Sequence, residues 1–211
     1  MPSPEEILQG LRYIANHYKY FAVFWHLYAL SASVLLISGS RPIKGMAGFA
    51  LSLPLFSVSF SAFISENPFN ASVFLVLGIL LLVSVAKSRR KKTGIYFNVN
   101  FVTGVLFVTA GFIYPHFLKT ETFFLYLIAS PGGLIPCPTL MMVSGFTLIL
   151  TGFAGKMWLY ILSAASLFYG ITGVFYLGMY IDSILIASAA VLLMNALSLI
   201  KPVQYEDDSF L

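Results

Sequence analysis

The chain has 211 residues, 59% of them hydrophobic and 9% charged, with a mean hydropathy of +0.89. Soluble domains average about 25% charged residues, so this composition excludes a soluble globular domain. The formal net charge of +4 sits in short segments between apolar runs, where it reads as a topology signal, and no nucleic-acid partner is expected.

Residues 1–19 are the longest polar stretch and form the N-terminal segment. Ser3-Pro4-Glu5-Glu6 has the spacing of a capping box, with proline at the first helical position. Ile7, Leu11, Ile14 and Tyr18 then recur every three or four residues. That pattern predicts a short amphipathic helix on the outer membrane interface. Glu5 and Glu6 stand where a signal peptide carries a basic region, so the first apolar run is expected to be retained.

A helix rising 1.5 Å per residue needs about 20 residues to cross a ~30 Å hydrocarbon core. Seven candidate spans meet that need within one transmembrane domain, residues 20–200. They are residues 20–37, 43–64, 70–86, 95–114, 123–154, 157–177 and 184–200. Residues 201–211 are expected to form a disordered cytoplasmic tail. The predicted fold is an all-α integral membrane bundle of seven helices, with the fifth broken at its outer end.

Five cations, Lys87, Arg89, Arg90, Lys91 and Lys92, fix the orientation of this bundle. Placing their loop in the cytoplasm also brings Arg41, Lys44, Lys156 and Lys201 inside. Only Arg12, Lys19 and Lys119 remain outside, three of twelve cations. The positive-inside rule then predicts N-out, C-in in the cell membrane.

The fifth span contains Ser130-Pro131-Gly132-Gly133-Leu134-Ile135-Pro136-Cys137-Pro138-Thr139. Pro131, Gly132, Gly133, Pro136 and Pro138 cannot sit in one regular helix. The break, from Pro131 to Thr139, reads either as a re-entrant element lining a site or as an apolar loop capping the bundle. About 16 residues follow Pro138 before Gly155, roughly 24 Å of helix, so the break is expected at or just below the outer interface.

Pro136-Cys137-Pro138-Thr139 followed by an apolar helix resembles the box of a prokaryotic multi-pass membrane family, domain of unknown function family 6064. The resemblance extends to Asn67-Pro68-Phe69-Asn70-Ala71 and to Gly111-Phe112-Ile113-Tyr114-Pro115. The chain departs from that family in the first span, with His26-Leu27-Tyr28-Ala29 in place of an acidic residue and an asparagine. The resemblance implies a compact helical membrane domain and no particular activity.

All three histidines fall on the outer side of this topology. His26, His116 and Cys137 form a candidate soft-metal set, suited to copper, with haem as the other cofactor considered. Neither H-x-x-x-H nor C-x-x-C spacing is present. His26 is the one strongly polar, titratable group inside the first span. Its structural alternative is a hydrogen bond to a backbone carbonyl or a tyrosine hydroxyl.

No Asp, Glu, Lys or Arg lies in the middle of any span, which disfavours an ion-coupled transporter. The seventh span has no central lysine, so a retinal protein is rejected. Small residues crowd the last two spans: Ser163, Ala164, Ala165, Gly170 and Gly173, then Ala187, Ser188, Ala189 and Ala190. They suit close helix packing, within the bundle or against another subunit. Asn98, Asn100 and Asn195 are candidates to pair across helices.

The favoured reading is a non-catalytic accessory or scaffolding subunit of a larger membrane complex. Its partners would be the lipid bilayer and either other membrane subunits or further copies of itself. A small-solute transporter or channel using the broken helix is the first alternative. A metal- or haem-binding membrane protein is the second.

Overall fold

The computed structural model describes residues 3–119 and 122–197. They form nine α-helices, joined by short 3-10 and π turns: α1 (Pro4–His17), α2 (Lys19–Ile37), α3 (Lys44–Ile64), α4 (Pro68–Val85), α5 (Val99–Ile113), α6 (Phe123–Ala129), α7 (Pro136–Ile149), α8 (Lys156–Ile171) and α9 (Ser183–Ala196). Four helices are long and apolar enough to cross a membrane: α2, α3, α4 extended to Ser88, and α8 extended to Tyr176. The remaining apolar helices α5, α7 and α9 are shorter.

The capping box is formed. The Ser3 N–H donates to Glu6 Oε2 at 2.7 Å, and the Glu6 N–H donates to Ser3 Oγ at 3.3 Å. α1 buries Leu11, Ile14 and Ala15. Its Asn16 side chain donates to the Phe117 carbonyl and accepts from the Lys119 N–H, tying α1 to the loop after α5.

Three expected helix bounds are corrected. The helix expected from residue 95 starts at Val99, because the Asn98 side chain caps the Phe101 N–H at 3.0 Å. The helix expected to run to residue 200 ends at Ala196. The helix expected to run to residue 154 ends at Ile149. There Thr151 and Gly94 exchange two 2.9 Å backbone hydrogen bonds, which draw the chain out of the helix. The tail 201–211 and Lys201 lie outside the described residues.

α7 is the axis of the bundle: Thr139 through Ile149 are all buried. α5 crosses it at a glycine pair. A β-carbon on Gly104 would stand 2.6 Å from the Gly145 carbonyl oxygen, so the backbones touch. Such close approach is how helices pack where no water drives them together. The small residues of α8 and α9 work the same way within the bundle. Ser163 donates to the Ala189 carbonyl at 2.8 Å, and Gly170 packs on Ile186. Asn100 and Asn195 join α5 to α9 through reciprocal amide bonds of 2.7 and 3.2 Å. Asn98 is used as a cap instead.

The cationic segments gather at one end. The Lys44 N–H donates to the Lys91 carbonyl, the Gly45 N–H to the Arg89 carbonyl and the Thr93 N–H to the Pro42 carbonyl. The Gly94–Thr151 bridge draws in the loop before Lys156. Arg41, Lys44, the run from Lys87 to Lys92 and Lys156 therefore share that end.

Candidate functional site

The broken helix is closed by its own polar groups and by its neighbours. After α6, the Leu134 and Ile135 N–H groups both donate to the Pro131 carbonyl at 3.1 Å. Gly133 takes φ +74°. Thr139 Oγ1 accepts from the Gly133 N–H at 2.8 Å and donates to the Ile135 carbonyl at 2.7 Å. Ser61 of α3 donates to the Leu134 carbonyl at 3.1 Å. Irregular backbone at membrane depth requires such partners from protein.

Pro136 opens α7, and Pro138 also lies in its first turn. The N–H groups missing there have no intrahelical acceptor in any helix, so both prolines are compatible with it. Pro131, Gly132, Gly133, Pro136, Pro138 and Thr139 are all buried. An apolar cavity of about 220 Å³ between α2 and α3 meets α7 further along, at Met142, Val143, Phe146 and Leu150.

His26, His116 and Cys137 have separate surroundings. His26 is buried, with Nε2 2.9 Å from the Phe112 carbonyl and Nδ1 3.1 Å from the Ala22 carbonyl. The ring thus lies between a carbonyl of its own helix and one in the last turn of α5. His116 meets Tyr114 edge-on at 5.6 Å, and burial lowers its imidazole from the usual value. Cys137 is the one partly exposed residue of the segment 131–150. Among the described residues, no group of three or more His, Cys, Asp or Glu side chains is placed to hold a metal ion.

The cluster that forms around Cys137 was not expected from sequence. Tyr114 Oη donates to Asp182 Oδ1 at 2.7 Å, and both residues are buried. Cys137, in the first turn of α7, lies beside this pair. Asp182 stands in the 3-10 turn before α9, against Gly173 of the π turn that extends α8. Nearby, Tyr169 donates to Asn70 at 2.8 Å. The cluster thus joins α5, α7 and the turn between α8 and α9. The phenol donates and the carboxylate accepts, so Tyr114 and Asp182 form an internal latch. The sequence signal was faint: Asp182 is one acid in a short link, indistinguishable from a solvated loop residue.

No family model, curated protein or solved structure matches the chain.

Proposed function

We propose that the chain is a non-catalytic membrane subunit that scaffolds a larger assembly. In this reading it has seven spans, N-out and C-in in the cell membrane, with α6 and α7 together counted as the fifth. The observation that carries the reading is the closed broken helix. The element that a transporter would use as a gate is sealed by Trp25, Ser61 and Thr139. The gathering of cations at one end supports the orientation.

The outer faces support a role in association. On α5, Val99, Val102 and Leu106 are all more than half exposed. α2 buries only Ala22, Trp25, His26 and Ala29 of its 19 residues. Such helices face lipid or a neighbouring subunit.

The test is purification of the full chain from its native membrane in mild detergent, with size-exclusion chromatography and mass spectrometry of the peak. A second chain at fixed stoichiometry is the expected result. A monodisperse single chain would overturn the accessory role.

A further inference from the structure

The cavity between α2 and α3 has a form and a setting that select one kind of occupant. The two helices are joined near their middles. There Trp25 Nε1 donates to Ser57 Oγ and Tyr28 Oη donates to the Ala50 carbonyl, each at 2.9 Å. Toward the cationic end they leave a crevice. Ala29 and Ala32 face Ala47 and Ala50 across it, and Phe146 and Leu150 of α7 form its floor. The crevice ends at Ser40 and Pro42, in the turn between the helices.

The lining is apolar apart from Tyr28 and Ser40, which suits an extended hydrocarbon chain. Charge argues for what the chain is attached to. Arg41 Nη1 donates to the Ser40 carbonyl at 2.9 Å and to the Leu36 carbonyl at 3.3 Å, which anchors its exposed guanidinium at the mouth. Beside it, Pro42 accepts from Thr93, and Lys44 pairs through its backbone with Lys91. The exposed cations Arg89, Arg90, Lys91 and Lys92 are carried to the same rim. Between Arg41 and Lys92 the one carboxylate in the sequence is Glu66, beyond the far end of the 21-residue α3.

We propose that this crevice is a binding site for an anionic phospholipid, with one acyl chain between α2 and α3 and the phosphate against Arg41 and Lys44. Basic pockets between transmembrane helices bind acidic headgroups in this way, and each nearby cation strengthens the attraction. The proposal rests on the membrane embedding given above and is independent of the accessory role.

The experiment is native mass spectrometry of the purified full chain in detergent, titrated with phosphatidylglycerol or with phosphatidylcholine of the same acyl chains. One phosphatidylglycerol is expected to bind at least about tenfold more tightly than phosphatidylcholine, given several cations at the rim. The Arg41→Gln, Lys44→Gln variant is expected to weaken phosphatidylglycerol by roughly fivefold per cation removed. Ala32→Phe, which fills the crevice, is expected to remove the tightly bound lipid of either kind. Equal affinity for the two lipids, or a preference unchanged in the charge variant, would overturn the proposal. Removal of detergent from the same samples separates these outcomes from failure of the embedding, since an embedded chain precipitates without micelles and a chain that is not embedded stays in solution.

Discussion

The indole of Trp25 occupies the volume that a β-carbon on Gly133 would need, while Gly133 holds φ at +74°. Two requirements thus fall on one residue of the broken helix. Gly133→Ala is expected to lose about 1–2 kcal/mol for the left-handed conformation, with about 1–3 kcal/mol more for overpacking. Thermal unfolding in detergent checks this, and Trp25→Ala should relieve the second part only. A loss in Gly133→Ala limited to the first part would mean that the indole moves aside freely.

The Tyr114–Asp182 bond is expected to behave as a buried pair. Tyr114→Phe or Asp182→Ala alone leaves a buried polar group without its partner, a loss of roughly 1–3 kcal/mol. The double variant should lose less than the sum, because no orphaned group remains. Asp182→Asn keeps an acceptor and should be the mildest change. Additive losses across the unfolding series would show that the two residues act separately.

The Asn100–Asn195 pair, with bonds of 2.7 and 3.2 Å, is expected to contribute modestly. Side-chain hydrogen bonds between membrane helices average about 0.6 kcal/mol. A double-mutant cycle with Asn100→Leu and Asn195→Leu should give a coupling of that order. A coupling near zero would make the pair incidental to the meeting of α5 and α9.

His116 gives a pH dependence with a definite sign. Burial lowers its pKa from 6.5 in the folded chain. The unfolded chain therefore takes up its proton first as pH falls, and stability drops as the pH moves below 6.5 toward the folded value. The unfolding midpoint should fall between pH 7 and pH 5, and His116→Gln should flatten that fall. An identical slope in the variant would remove His116 as the cause.

Much of the architecture was legible because membrane spans are written in long apolar runs. The capping box at Ser3 and the prolines of the fifth span announced themselves by local chemistry. The starts and stops did not. Ile95, Tyr96 and Phe97 read as helix, yet Gly94 pairs with Thr151 and Asn98 caps the helix instead. Thr151 is remote from what periodicity can see. Asp182 stayed hidden for the same reason, since Tyr114 lies 68 residues away. His26 drew notice as a possible ligand, and only the Phe112 carbonyl, 86 residues on, shows how its ring is used.

The most direct test of the closed broken helix is water access to α7. In a Cys137→Ser background, Met141→Cys places a thiol at a site with 0% exposure, and Glu66→Cys provides an exposed control. Both are treated in native membranes with a membrane-impermeant maleimide. A sealed break predicts that Glu66→Cys is labelled and Met141→Cys is not. Rapid labelling of Met141→Cys, slowed by an added solute, would contradict it and make the broken helix a passage.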